Sequence, residues 1–263
     1  MRQTDRTPIR IIFFDIDGTI KPIGEERMRP AVETALRQVK ARGVRLFIAT
    51  GRTPFGLPEV PEDLFDGGLC FNGGYCYDRD GVIYEDALPP EAVRGVVENG
   101  RRLGVSVMAA TARMTGCAFD QQSLRDYAAM AKINYQVLPE FERFLEEQVY
   151  QMMAGVPEAL DEALIAGVPG VKTARWWTMA TDIIPIRCGK AVGIQHVTER
   201  YGIRREEVMA VGDGGNDLDM IEYAGVGVAM GNAAERVKRA ADYVAGSCEE
   251  DGVVEMLRHF ALL

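Results

Sequence analysis

Ile11-Ile12-Phe13-Phe14-Asp15-Ile16-Asp17-Gly18-Thr19 is the stretch from which the organisation of the chain can be read. A fully apolar run that stops at two carboxylates and a glycine predicts a buried parallel strand ending in a loop. Open α/β sheets place their chemistry in such loops. Residues i and i+2 of a strand share a face, so the carboxylates of Asp15 and Asp17 would occupy one small volume if the strand geometry continued. Their repulsion is relieved by a divalent cation, or by protonation of one of them. One ionised carboxylate can then act as nucleophile while its partner works as general acid and base. Gly18 permits a tight turn and Thr19 can bond the backbone there. Taken alone, the pentapeptide also fits a plain Asp-x-Asp-Gly turn or a fragment of a calcium loop. The calcium reading is weakened by Lys21, Pro22 and Ile23, which stand where oxygen ligands are expected ahead of Glu26.

The same pattern recurs outward from this stretch. Residues 29–42 carry Ala31, Val32, Ala35, Leu36 and Val39 at helical spacing, with Pro30 in the first turn and Gly43 as a stop. A second apolar run, Val44 to Ala49, ends in Thr50-Gly51-Arg52, and a third, Leu69 to Phe71, ends in Asn72-Gly73-Gly74. After a helix predicted over 190–201, Val208 to Val211 runs into Gly212-Asp213-Gly214-Gly215-Asn216-Asp217. Val226 to Met230 and Tyr243 to Ala245 complete the series. Between these halves the texture changes. Helices are predicted near 91–103, 121–132 and 140–148 and from Pro157, with extended runs at 105–108, 117–119, 149–153, 171–177 and 179–184. The expected architecture is α/β, a doubly wound parallel sheet of residues 1–85 and 185–263 interrupted by an inserted α+β cap, 86–184.

Composition narrows the function. The 263 residues are 47% hydrophobic and 26% charged, enough for one sizeable core or two domains. A net charge of −9 argues against a nucleic-acid surface. No apolar stretch approaches the roughly 18 residues that cross a bilayer, and the amino terminus is too polar for a signal peptide, so a cytoplasmic protein without a membrane partner is expected. Five scattered cysteines and two histidines form neither a disulfide framework nor a zinc pattern.

In an open parallel sheet the loops at the carboxyl ends converge, which would bring Asp15, Asp17, Thr50, Arg52, Asn72 and Asp213 together. Carboxylates without a histidine cluster suit a hard cation, Mg²⁺ rather than zinc. That chemistry fits phosphoryl transfer, which is mostly positioning and charge stabilisation. Thr50 and Lys190 add a hydroxyl and an ammonium for phosphate oxygens. Singly these residues say little: Thr50-Gly51-Arg52 is also a plain turn, Lys190 also a solvated lysine, and Gly212 to Asp217 also a structural turn that lacks the Lys-Ser/Thr ending of a P-loop.

Phe14-Asp15-Ile16-Asp17-Gly18-Thr19, Ala49-Thr50-Gly51-Arg52, Lys190 and Gly212 to Asp217 resemble, in order and spacing, the four motifs of haloacid dehalogenase superfamily phosphatases. Phe71 to Tyr75, Val228 to Ala233, Ala240 to Val244 and Glu250 to Val253 resemble the Cof-type branch, in which a large cap lies between the second and third motifs. The resemblance implies that Asp15 is the nucleophile forming an aspartyl phosphate and Asp17 the acid and base. It assigns Thr50, Gly51, Lys190 and Asn216 to the phosphate, and Mg²⁺ to Asp15, Asp213 and the backbone carbonyl of Asp17. Asn216 and Asp217 match positions that support the metal and Lys190. Ala191 stands where the family usually has glycine. Candidates for substrate specificity are Arg52, Asn72, Trp176, Trp177 and residues near 114–119, with core packing as the alternative for the tryptophans. Met108, Met114, Met152 and Met153 are expected to be apolar filling. The function expected is a Mg²⁺-dependent phosphomonoesterase acting on a small phosphorylated metabolite such as a sugar phosphate. A phosphomutase or phosphotransferase, and a non-catalytic phosphate-ligand binding protein, are the alternatives. The carboxyl-terminal run Val253 to Phe260 is expected to pack on the core, and the oligomeric state is not legible.

Overall fold

Ile11 to Phe14 form a strand buried on both faces, and its side chains alternate between two cores. Ile12 and Phe14 pack with the helices Pro30–Ala41 and Gly252–His259, whereas Ile11 and Phe13 pack with Lys190–Tyr201 and Leu218–Tyr223. A sheet with helices on both faces follows from that alternation. The computed structural model describes residues 7–61 and 63–263. Residues 1–6, the polar stretch weighed above against a signal peptide, lie outside the described residues.

The first half supplies β1 (Ile11–Phe14), β2 (Arg45–Ala49), β3 (Gly67–Cys70), β4 (Tyr75–Asp78) and β5 (Gly81–Glu85). The middle supplies β6 (Met108–Ala110), β7 (Thr115–Cys117), β8 (Gln136–Val137), β9 (Gln151–Ala154), β10 (Val171–Trp177) and β11 (Ala180–Pro185). The last part returns with β12 (Val208–Gly212), β13 (Val226–Ala229) and β14 (Tyr243–Val244). One sheet has the order β14-β13-β12-β1-β2-β3-β4-β5, and a second, β10-β11-β9-β6-β7-β8. In the first sheet the pairs from β14 to β3 are all parallel. The chain leaves β1 towards β2 and returns beside it as β12, so the carboxyl end of β1 is a topological switch point.

The second sheet alternates in the same way. Ala109 and Met152 pack against the helix Pro90–Leu103, while Met108, Ala110 and Met153 join Leu124 and Tyr127 of the helix Gln122–Ala131. Cys70 and Phe71, at the end of β3, belong to that second cluster, and the Phe71 and Tyr150 rings stack at 5.2 Å. The methionines Met108 and Met152 are apolar filling, as expected, whereas Met153 packs in the second cluster and also lines the cavity described below.

Three expectations change. The first sheet ends in an antiparallel hairpin, β4 and β5, rather than being parallel throughout. Its turn is closed by the Asp78 carboxylate, which accepts the Asp80 N–H at 2.8 Å. The helix over 140–148 is only the turn Phe141–Phe144, and the one from Pro157 is a 3₁₀ turn followed by Asp161–Leu164. In each case the apolar side chains reach the core within one turn, and tertiary packing overrides the propensity of the flanking glutamates. The carboxyl-terminal run does pack on the core, with Leu257 wholly buried. Leu257→Ala should therefore lower stability by about 3 kcal/mol, read as a fall in the urea midpoint at unchanged m; a neutral effect would contradict this packing.

Candidate active site

Lys190, the first residue of its helix, is 0% exposed and bonds two carboxylates, Asp15 Oδ1 at 2.6 Å and Asp217 Oδ1 at 2.5 Å. A buried ammonium needs such partners. Asp217 is itself fixed, since its Oδ2 accepts the N–H groups of Asp213 (2.9 Å) and Gly214 (2.7 Å). Asp213 in turn accepts the Thr19 hydroxyl at 2.8 Å. Asn232 ties the two loops together by donating to the Gly18 carbonyl at 2.8 Å and to Asp213 Oδ2 at 3.3 Å. Gly18 has φ +87°, and a Cβ there would lie 2.3 Å from Asp213 Oδ2, so only glycine fits.

Asp17 stands in different company. Arg52 grips it in bidentate fashion at 2.6 and 3.0 Å, and Lys21, itself 2% exposed, donates to it at 2.5 Å. Burial works to raise the Asp17 carboxyl, but the hydrogen bonds and charges of Arg52 and Lys21 outweigh it and hold it below the usual range. Asp15 moves the other way: burial pushes it well up, Lys190 opposes, and the charges of Asp217 and Asp213 add to the rise. Two carboxylates one residue apart thus sit in opposite electrostatic environments, and a cation beside Asp15 would lower it and keep it ionised.

Asp15, Asp213 and Asp217 each offer an oxygen within 4.8 Å of the others. Three carboxylates facing one ammonium leave surplus negative charge, and burial with the Asp217 charge pushes Asp213 up to about 7. An all-oxygen, electron-rich donor set of this kind fits a hard divalent cation. It differs from the expected set in containing Asp217, while the Asp17 carboxylate is engaged by Arg52 and Lys21.

A cavity of about 350 Å³ opens over Asp15, Asp17, Thr50, Gly51, Arg52 and Asn216. Lys190 and Asp217 are buried behind its wall. Asn72, in a left-handed conformation (φ 54°, ψ 36°), is also buried. It accepts from Asn216 at 2.9 Å and donates to Gln151 (3.1 Å) and Asp182 (3.0 Å), linking the two sheets. Gln151 completes the link by donating to the Gly51 carbonyl at 3.1 Å. Trp176 and Trp177 are half-buried; they line the cavity and also pack against the cluster of Met108, Leu124 and Tyr127, so both readings of them hold. Residues 114–119 are not among those lining it.

Lys21, Gln151, Tyr127 and Asp182 are site residues that the sequence reading missed. Asp182 left one signal, a lone carboxylate inside the apolar run Ala180 to Ile184. Lys21 left another, four residues after Asp17.

With this geometry, the sequence profile of the haloacid dehalogenase-like hydrolases matches residues 12–257. The chain belongs to the haloacid dehalogenase superfamily. It falls in the Cof-type branch and is a phosphatase acting on phosphorylated substrates. YkrA of Bacillus subtilis is 32% identical over 97% of this chain and 98% of its own length. A second Bacillus subtilis relative, the 5-amino-6-(5-phospho-D-ribitylamino)uracil phosphatase YitU, is 29% identical over 95% of this chain and 97% of its own. Among solved structures, the subclass IIB sugar phosphatase BT4131 superposes with a TM-score of 0.88 at 31% identity, covering 97% of this chain and all (100%) of that one. No helix among the described residues is long and apolar enough to cross a membrane.

Burial pushes Asp182 up to about 6, against the hydrogen bonds from Tyr127, Asn72 and Trp176 that favour its charge. An unfolded aspartate titrates at about 3.9, so the folded chain holds this proton more tightly. The stability it contributes is present below about pH 4 and is lost as the pH rises through about 6. Relative to Asp182→Asn, the wild type should lose on the order of 3 kcal/mol between pH 4 and pH 7. Paired urea denaturation across that range measures it, and a difference independent of pH would contradict the assignment.

Proposed function

We propose that this phosphatase is a Mg²⁺-dependent phosphomonoesterase that works in the cytoplasm on a small phosphorylated metabolite of the sugar-phosphate kind, through an aspartyl phosphate on Asp15. The observation that carries the reading is the division of labour between the two aspartates. Asp15 borders the cavity with one oxygen on Lys190, and Asp17 stands beside it on Arg52 and Lys21. The likeness to a sugar phosphatase and to a ribityl-phosphate phosphatase supports the substrate class.

On this reading the Asp15 oxygen not bound to Lys190 attacks phosphorus, and the bond from phosphorus to the alcohol oxygen breaks. Asp17 gives that oxygen its proton. In the second half Asp17 takes a proton from water, the water oxygen attacks phosphorus, the bond to Asp15 breaks and phosphate leaves. An incoming phosphate competes with Asp17 for Arg52, and weaker pairing lets burial, the largest single influence on Asp17, raise it into an acid's range. Thr50, Gly51, Lys190 and Asn216 receive phosphate oxygens directly or by orienting their neighbours, and Asn72 steadies Asn216 from behind. Mg²⁺, held by Asp15, Asp213 and the backbone carbonyl of Asp17 with Asp217 adjacent, supplies charge neutralisation at the phosphate when bound. Residues 86–184 serve as a cap that excludes water from a catalytic core of 1–85 and 185–263.

Wild-type protein should release inorganic phosphate from sugar phosphates with Mg²⁺ and lose that activity in EDTA. Asp15→Asn should fall at least about a thousandfold and Asp17→Asn about a hundred- to ten-thousandfold. Transfer to an added sugar without phosphate release would instead indicate a phosphotransferase, and undiminished activity in Asp15→Asn would overturn the mechanism.

A further inference from the structure

Trp176 and Trp177 are consecutive on β10, and consecutive side chains of a regular strand point to opposite faces. Here both line the cavity. The register of β10 against β11 slips between Arg175 and Trp177, and an irregularity of this kind re-aims a side chain. Arg175 pins the slip from its other side. Its guanidinium donates to the carbonyls of Trp177 and Thr178, both at 3.0 Å, and of Val156 at 3.2 Å, and it pairs with Asp161. The aromatic surface is therefore set before a ligand enters, which lowers the ordering cost of binding. The two indoles lie 6.5 Å apart with 28° between their planes, and Tyr127 meets Trp176 edge-on at 5.4 Å. Met130, Ile133 and Met153 extend this apolar wall.

One polar group completes it. Asp182 lines the cavity though only 1% exposed, and its carboxylate accepts from the Tyr127 hydroxyl, from Trp176 Nε1 at 3.3 Å and from Asn72 at 3.0 Å. A carboxylate has about four acceptor sites, so one more donor can be received. Among the described lining residues the one cation is Arg52, which pairs with Asp17. The half of the cavity away from Asp15 thus offers aromatic faces, with one anionic acceptor at its border, where Asp182 Oδ2 would lie 3.3 Å from a Cβ at Gly51, and it would repel a second phosphate or carboxylate.

We propose that this half is a subsite for a planar ring bearing an N–H or O–H donor, stacked on the Trp176–Trp177 wall with its donor on Asp182. The substrate is then a sugar or polyol phosphate whose far end carries such a ring, and a bare sugar phosphate fills only the near half. The proposal rests on the phosphatase reading for placing the phosphate at Asp15. A volume of about 350 Å³ suits a ligand of that size.

Uridine 5′-phosphate and ribose 5-phosphate test it, because they share one phosphorylated sugar and differ by a ring with an N–H donor. The chain has two tryptophans, both in this wall, so intrinsic fluorescence reports on the subsite directly. In Asp15→Asn protein with Mg²⁺, uridine 5′-phosphate should change the fluorescence and bind about tenfold more tightly than ribose 5-phosphate, as one base stacked on an aromatic ring provides. In otherwise wild-type enzyme, the ratio of kcat/KM for uridine 5′-phosphate over ribose 5-phosphate should fall about tenfold in Trp177→Ala and in Asp182→Asn, chiefly through KM. Equal binding of the two ligands, or a ratio unchanged in Trp177→Ala, would overturn the subsite. Absence of phosphate release from both substrates would count against the phosphatase reading alone, since the Asp15→Asn titration still decides the subsite. Trp177 is half-exposed, so its variant keeps the test open should Asp182→Asn fail to fold.

Discussion

A single ammonium sets the geometry of this molecule. Lys190 has no contact with water and is held by Asp15 from one half of the sequence and by Asp217 from the other. Removing either partner would leave a charge stranded in a low-dielectric interior, which typically costs about 3–5 kcal/mol. The loops after β1 and β12 and the helix that begins at Lys190 are therefore locked to one another. Close backbone approach makes this possible. A Cβ at Gly212 would lie 2.5 Å from the Asp217 carboxyl carbon, and one at Gly73 would lie 2.2 Å from the Gly189 carbonyl oxygen. The carboxylate of Asp219 accepts the Ala191 N–H at 3.2 Å and fixes the same helix end.

That lock explains how two aspartates one residue apart come to differ. The strand presents Asp15 to the buried ammonium and its carboxylate neighbours, whereas Gly18 turns the chain so that Asp17 meets Arg52 and Lys21. The first site gathers negative charge and suits a cation and a phosphoryl group. The second keeps a carboxylate ionised until something competes for its arginine. The link from Asn72 through Gln151 and Asp182 then carries the register of the first sheet into the second, so the aromatic wall faces the same cavity as the carboxylates.

Much of this was legible in the sequence, for a physical reason. Parallel strands buried on both faces read as continuous apolar runs, and β1, β2, β12 and β13 were recognisable as such. Each ended in the loop that carries a functional residue. The hairpin of β4 and β5 was not legible, because an edge strand with one exposed face has weak patterning. Phe141–Phe144 looked like the start of a longer helix because glutamates favour one locally, while the chain had to turn into β9. Asp182, Gln151 and Lys21 act through contacts that no local pattern encodes. The aromatic wall depends on a slip in strand register, which periodicity alone would have scored as one tryptophan in and one out.

The central claim is that Asp15 carries the phosphoryl group and Asp17 releases it. Acid-quenched peptide mapping by mass spectrometry of Asp17→Asn protein, after mixing with Mg²⁺ and a sugar phosphate that the wild type hydrolyses, tests it most directly. The account predicts a phosphoryl adduct on Asp15 that accumulates in this variant and is absent from Asp15→Asn. No adduct under conditions where substrate is consumed, or an adduct on another residue, would contradict it.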